Sequence, residues 1–321
     1  MKKYYVGLDF GGTNLKAGLV LQQTGEVTHL SSLPTASHEG PEGVMKRMAT
    51  LIANSIDQVD RDELGGIGIG VPGVIDLTKG VTKFLPNLPG NWPEVPLGQT
   101  IQEITGLPVQ LLNDVRAITY GEWQFGAGKG SDSMACFAIG TGIGGGLIVN
   151  NQLVLGIGGT AGELGHITVD YNGPMCGCGN KGCVETLASG PAIAAMGIKA
   201  VSQGLTTSIG QLAGYDLNKI TPELIYRAAS DGDAIALDIY RQAGFYLGIA
   251  VANVLVSVGT RKVVIAGGVA QAGDLLLDAV KKTIRERVKM MPVEQVEIVP
   301  ARLGTHAGII GAAMFASHRI G

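Results

Sequence analysis

One supersecondary pattern occurs twice in this chain, and it limits the possible folds more than any other feature. The pattern is strand, glycine-rich hairpin loop, strand, turn, strand. In the first copy a strand Tyr4–Asp9 enters the tight loop Phe10-Gly11-Gly12-Thr13-Asn14. A strand Leu15–Leu21, a turn at Thr24-Gly25 and a third strand near Val27–Leu30 follow. In the second copy Met134–Ile139 is the strand and Gly140-Thr141-Gly142-Ile143-Gly144-Gly145-Gly146 the loop. Leu147–Val149, a turn at Asn150-Asn151 and Leu153–Leu155 complete it. An internal repeat of this kind implies two halves built on one plan.

The segments between the copies alternate helix and strand. Val44, Met48, Leu51 and Ile52 recur at helical spacing within Pro41–Ile56. Gly66–Gly70 is a short apolar run suited to a central strand, and the loop Val71-Pro72-Gly73-Val74-Ile75-Asp76 follows it. A helix over Pro96–Thr105 and a buried strand Val109–Leu112 lead to Asn113-Asp114, and a helix over Val115–Phe125 comes next. The remainder is mostly helical, with a long stretch near Ala234–Val258. A late strand Lys262–Ala266 runs into Gly267-Gly268, before helices over Gly273–Val288 and Ala307–Ser317.

Composition narrows the class. A chain of 321 residues is comfortable for two domains. Its net charge of −3 comes with no basic block, so neither nucleic acid nor a membrane surface is an expected partner. A strand that starts at Tyr4 leaves no signal peptide, and the apolar run Tyr246–Val258 is too short to span a bilayer. The expectation is a cytoplasmic, ligand-binding protein. The 50 glycines gather in a few loops between apolar runs, as they do where backbone closely approaches a ligand.

Phosphate oxygens are bound well by backbone N–H groups, which glycine lets approach closely. Asp9-x-Gly11-Gly12-Thr13 and Gly140-Thr141-Gly142-x-Gly144-Gly145-Gly146 both have that character. The second also fits G-x-G-x-x-G, but a dinucleotide fold requires a helix after it, and here a strand follows. The P-loop fails for want of Gly-Lys-Ser/Thr. Gly267-Gly268, at a strand end ahead of a helix, is a third candidate phosphate contact. Asp9 suits either of two tasks, organising Mg²⁺ or capping the turn.

Three of the four cysteines fall within Cys176-Gly177-Cys178-Gly179-Asn180-Lys181-Gly182-Cys183. With no export signal, that crowding favours metal over disulfides. His166 completes the Cys₃His set of a closed, structural zinc site, and Gly177, Gly179 and Gly182 supply left-handed turns for a tight knuckle.

With these segments together, the chain resembles the ROK family (repressors, open reading frames and sugar kinases), and within it the bacterial glucokinases. The resemblance rests on Asp9–Lys16, Leu112-Asn113-Asp114, Gly140–Gly146 and Glu163-x-Gly165-His166. It extends to Cys176-x-Cys178-Gly179-x-x-Gly182-Cys183-x-Glu185 and Gly267-Gly268-Val269. It implies the α/β fold of the two-lobed actin-like ATPases and hexokinases (ribonuclease H-like), with ATP and a hexose meeting in an interlobe cleft. Residues 1–114 with 305–321 would form the small lobe and 115–304 the large one. Asp114 would be the catalytic base. Gly73, Asn87, Asn113, Glu163, His166 and Glu185 would hold the sugar. Asp9, Gly11, Gly12, Thr13, Asn14, Lys16, Gly140, Thr141, Gly142, Gly144, Gly267 and Gly268 would hold ATP with its Mg²⁺. His166 would ligate zinc together with Cys176, Cys178 and Cys183, turning its other ring nitrogen to the sugar. A homodimer is the implied assembly.

Two places depart from the family pattern. Val115-Arg116 stands where relatives continue Ala-Asn, and Val258-Gly259-Thr260 where they place Asn-Pro. Other readings are a kinase for N-acetylglucosamine, N-acetylmannosamine, fructose, mannose or allose, a sugar-sensing repressor, or an actin-like assembly protein. A repressor would need an N-terminal helix-turn-helix, for which a phosphate loop starting at Asp9 leaves no room.

Overall fold

A computed structural model describes residues 2–320. The elements run β1 (Tyr4–Phe10), β2 (Asn14–Leu21), β3 (Val27–Pro34), α1 (Gly40–Ile56), β4 (Leu64–Val71), β5 (Val74–Asp76) and β6 (Val81–Phe84). Next come α2 (Leu97–Thr105), β7 (Val109–Asn113), α3 (Asp114–Gln124), β8 (Met134–Ile139), β9 (Ile143–Val149) and β10 (Gln152–Leu153). Then follow α4 (Glu185–Ala188), α5 (Gly190–Ser202), α6 (Ile209–Leu212), α7 (Pro222–Ser230) and α8 (Ala234–Val258). The chain closes with β11 (Lys262–Ala266), α9 (Asp274–Arg287), β12 (Glu297–Pro300) and α10 (Ala307–Ile320). It divides into two compact units, residues 1–132, 146–162 and 302–321 in the first and residues 133–145 and 163–301 in the second.

The repeat legible in the sequence goes deeper than three strands. One sheet has the order β3-β2-β1-β4-β7 and the other β10-β9-β8-β11-β12. In the first, β1 pairs antiparallel with β2 and parallel with β4, and β7 extends the parallel side. In the second, β11 lies parallel to β8 and β12 parallel to β11, while β9 and β10 form the hairpin. The fifth strand of this sheet, β12, is short and only half-buried, so its apolar signal is faint.

Three local expectations change. The second glycine loop is shorter than its run of glycines, because β9 begins at Ile143 and Gly144, Gly145 and Gly146 lie within it. A Cβ on Gly146 would sit 2.3 Å from Thr119 Oγ1, so that glycine serves packing. The segment after Gly73 is a two-stranded ribbon, β5 with β6, and the strand near Leu153 ends at Leu153. The helix expected over Gly273–Val288 is α9, Asp274–Arg287, and a 3₁₀ turn Gly268–Ala272 stands between it and the glycine pair.

In the first unit, α10 is buried from Ala307 through Ser317 and lies against the sheet with backbone touching backbone. A Cβ on Gly7 of β1 would meet Ile309 O at 2.0 Å, and one on Gly68 of β4 would meet Ala312 O at 1.9 Å. The same helix meets α3 through Gly311, whose Cβ would stand 1.7 Å from Ala117 O. No side chain fits in these seams. The opposite face of the sheet carries an apolar core of Val6, Leu8, Leu19, Met48, Ile52 and Ile69, all at most 1% exposed.

In the second unit the 25-residue α8 is long and apolar enough by composition to cross a membrane. It packs against α9 through Gly244 and Gly248, which lie against Ala279 and Thr283. Buried Leu247, Val251, Leu276, Val280 and Ile284 fill that interface.

Gly68→Ala is expected to cost about 1–3 kcal/mol of stability, the usual penalty of overpacking a closed seam. Chemical unfolding measures it, and a midpoint equal to that of the unaltered chain would contradict the packing described.

Candidate functional site

In the first unit the parallel register sets the site. Asp9 pairs with Gly70, and Gly70 with Leu112, so the C-terminal ends of β1, β4 and β7 form one edge. Two inter-strand spacings put the backbones of Asp9 and Leu112 about 10 Å apart. Asp114 follows two residues after Leu112, as the first residue of α3. At the other end of the row, Gly11 N–H donates to Asn14 O (3.1 Å) and Thr35 Oγ1 to Gly11 O (2.6 Å), closing the glycine loop. A Cβ on Gly11 would lie 2.7 Å from Asn14 O, so only glycine closes the loop this tightly. Gly12, Thr13 and Asn14 face outward and exposed, with open space around Gly12. Burial pushes the Asp9 carboxyl above the usual carboxylate range, against the pull of Lys16, its cross-strand partner. A carboxylate desolvated in this way is relieved by a hard cation.

The N-cap of α3 is Asn113, not Asp114. Asn113 Oδ1 accepts from the N–H groups of Val115 (3.1 Å) and Arg116 (3.2 Å). Its Nδ2 donates to Gly73 O (3.1 Å). Two of the sequence candidates are therefore joined directly, and the capping task is already filled. Asp114 Oδ1 accepts from Val115 N–H (2.9 Å). Gly73 is left-handed (φ 80°), and its Cβ would strike Phe84 O at 2.3 Å, which accounts for glycine there. Asn87 is exposed in the turn closed by Leu88 N–H to Leu85 O (3.1 Å).

In the second unit, Gly140 and Gly267 follow the adjacent parallel strands β8 and β11. Gly267 has φ 90°, and its Cβ would lie 2.2 Å from Ile139 O, so the two glycine turns touch. Thr141 and Gly268 are exposed at the ends of these strands, the place where α/β sheets hold ligands. Gly144 is the second residue of β9, two residues beyond Gly142.

The cysteine knuckle is built as its glycines require. Gly179 (φ 90°) and Gly182 (φ 65°) are left-handed, whereas Gly177 does not have positive φ. Cys176 N–H donates to Asn180 O (2.7 Å) and Gly179 N–H to Cys176 O (2.9 Å). The ligand atoms of His166, Cys176, Cys178 and Cys183 all lie within 4.8 Å of one another. Cys178 Sγ is 3.7 Å from Cys183 Sγ, and Cys176 Sγ is 3.6 Å from His166 Nδ1. A tetrahedron with Zn–S bonds of about 2.3 Å and Zn–N of about 2.0–2.1 Å has edges of roughly 3.8 and 3.6 Å. Burial pushes the Cys183 thiol up to about 12 and the Cys176 thiol upward too, while the Asn180 N–H holds Cys178 down. The two buried thiols, Cys176 and Cys183, become thiolates readily only beside a cation. The donor set and spacing fit zinc.

Glu185 connects the knuckle to the glycine turn. Ile143 N–H donates to Glu185 Oε2 (2.9 Å), and Oε1 lies 3.7 Å from Cys176 Sγ. A Cβ on Gly142 would stand 2.5 Å from Oε2, so this glycine makes room for the carboxylate. Gly165 lies so close to β9 that its Cβ would meet Ile143 O at 1.7 Å. The 3₁₀ turn Leu164–His166, just after exposed Glu163, is thereby held against the same strand. The spacing of the motifs gave no signal for the pairing of Glu185 with Ile143.

The strand plan and structural likeness place the chain in the fold class of the two-lobed actin-like ATPases. Its structure matches the ROK family glucokinase of Streptomyces griseus, solved in complex with glucose and AMPPNP. The TM-score is 0.83 at 32% identity, covering 98% of this chain and 99% of that one. The sequence matches the ROK family over residues 5–319, and the chain belongs to that family. It is 36% identical over 316 residues to the glucokinase of Thermotoga maritima, covering 98% of each. It is also 34% identical over 317 residues to the xylose repressor of Bacillus subtilis, covering 96% of this chain and 75% of the repressor.

Gly142→Ala is expected to displace the Glu185 carboxylate and release the Ile143 N–H. Hydrogen exchange at that amide should accelerate at least about tenfold, the equivalent of one charge-assisted hydrogen bond. Unchanged protection would mean that Glu185 does not depend on this glycine.

Proposed function

We propose that the chain transfers the γ-phosphoryl group of ATP to a hexose, most readily glucose, giving glucose 6-phosphate and ADP. Family membership alone does not choose between kinase and repressor, since similar proteins of both kinds are known. The observation that carries the choice is the placement of Asp114. It sits at the N-terminus of α3, on the same sheet edge as Asp9 and its outward-facing glycine loop, with its capping duty taken by Asn113. The full-length likeness to glucokinases supports glucose among the hexoses.

In this reading Asp114 accepts the proton of the attacking sugar hydroxyl. The hydroxyl oxygen bonds to the γ-phosphorus as the bond from phosphorus to the β,γ-bridging oxygen breaks, and ADP carries away the electron pair. For the phosphates this reading assigns Asp9, Gly11, Gly12, Thr13, Asn14 and Lys16 from the first glycine motif, and Gly140, Thr141, Gly142, Gly144, Gly267 and Gly268 from the later ones. Mg²⁺ brought in with ATP supplies charge neutralisation, and Asp9 is the carboxylate placed to orient it. Glu163 and Glu185 accept from sugar hydroxyls, while the His166 ring N–H and the second Nδ2 hydrogen of Asn113 donate to sugar oxygens. Gly73 and Asn87 border that side. Pockets that pair every hydroxyl discriminate strongly among polyols. A zinc ion would be held by His166, Cys176, Cys178 and Cys183 with no open position, so its part would be structural, and the closed knuckle would orient the His166 ring and Glu185.

Asp114→Asn is expected to lower kcat by about 10²–10⁴-fold while the KM values for ATP and hexose stay within a few-fold. Turnover near the original rate in a sugar-dependent ADP-release assay would remove Asp114 from the reaction.

Elemental analysis should find one zinc per chain. Stripping it with a chelator is expected to raise the hexose KM most. The ATP KM should rise less, through the Glu185 contact with Ile143. Metal well below one per chain, or an unchanged hexose KM after its loss, would contradict the zinc assignment.

A further inference from the structure

Glu122 is a fully buried carboxylate, 0% exposed, in the last turn of α3. It lies at the helix end where the macrodipole is unfavourable to negative charge. Packing alone does not call for a charged group in such a place, and burial of one without partners is costly. Its partners come from two separate segments. Glu122 Oε1 accepts from Leu303 N–H (2.7 Å) and Arg302 N–H (3.0 Å). Oε2 accepts from Ala127 N–H (2.8 Å) and shares the Arg302 N–H (3.1 Å). Gly126 leaves the space, since a Cβ there would lie 2.1 Å from Oε2.

The Arg302–Leu303 segment leads to the proposed site. Arg302 is where the chain enters the first unit for the last time, and Leu303 leads through Gly304–His306 into α10. The first turn of α10 presses against two functional elements at once. Gly121 of α3 would place a Cβ 2.4 Å from Ala307 O, and Gly308 would place one 3.3 Å from Asp9 Cγ. At the far end of α3, eight residues and about 12 Å from Glu122, stands Asp114.

We propose that Glu122 is a positioning residue for phosphoryl transfer. Its carboxylate ties the helix that carries Asp114 to the start of α10, and so holds Asp9 and Asp114 in register. This rests on the kinase reading given above. Charge-assisted bonds to three backbone N–H groups fix a segment more rigidly than a neutral amide does, because an amide offers one acceptor oxygen and turns its NH₂ toward donors. Positioning errors of about 1 Å can cost about 10²-fold in rate.

Three proteins are compared in hexose-dependent ADP release, with Mg²⁺ titrated: the unaltered chain, Glu122→Gln and Glu122→Asp. Glu122→Gln is expected to lose at least tenfold in kcat and to need more Mg²⁺ for half-maximal rate, with the hexose KM within twofold. Glu122→Asp, a shorter carboxylate, is expected to recover part of both losses, even if the Gln variant folds poorly. A kcat for Glu122→Gln within twofold of the unaltered chain overturns the inference. So does a Glu122→Asp no more active than Glu122→Gln, or an unchanged Mg²⁺ requirement in a slowed enzyme. No ADP release from the unaltered chain would instead overturn the kinase reading itself.

Discussion

The first unit depends on a contact made chiefly by backbone. The carbonyls of α10 at Ile309 and Ala312 lie directly against the α-carbons of Gly7 and Gly68, and the carbonyl of Ala117 in α3 against Gly311. A helix that close to a sheet fixes strand register and helix position together, since neither moves without the other. Asp9, at the end of β1, and Asp114, at the start of α3, inherit their separation from that seam. A glycine usually weakens strand and helix interiors. Here that weakness is accepted because a methyl group would push α10 away from the sheet and from α3.

In the second unit the corresponding constraint is electrostatic and local. Glu185 accepts from the Ile143 N–H in the glycine turn while it stands beside Cys176 in the knuckle. The metal ligands, a proposed sugar carboxylate and a proposed phosphate turn are therefore one connected structure. Gly142 and Gly165 serve the same connection from opposite sides, one clearing Glu185 and the other letting the turn of His166 lie on β9. Because the Glu185 carboxylate is hydrogen-bonded to the Ile143 N–H, a change in the knuckle should reach the glycine turn without any long-range pathway.

Much of this was legible in the sequence, where chemistry is carried by residue type at short spacing. The repeated hairpin, the Cys₃His set and the glycine turns depend on neighbours close in the chain, and each appears in the structure. The contacts that were not legible join residues far apart in the chain. Asn113 capping α3 while bonding Gly73, Glu185 bonding Ile143, and Glu122 holding Arg302 and Leu303 leave no periodic trace. The same distance explains β12, whose half-buried residues gain their meaning only from pairing with β11. The run of glycines overstated the length of the second loop, because Gly144 to Gly146 lie within β9, where Gly146 packs against Thr119.

The central claim is that this member of the ROK family transfers phosphate from ATP to a hexose. Its most direct test is ADP release by the purified, zinc-replete chain over a panel of sugars with Mg²⁺ present. The account predicts sugar-dependent release with the highest kcat/KM for glucose, and glucose 6-phosphate as the product. ADP release that no sugar stimulates, under conditions where glucose binds, would contradict it.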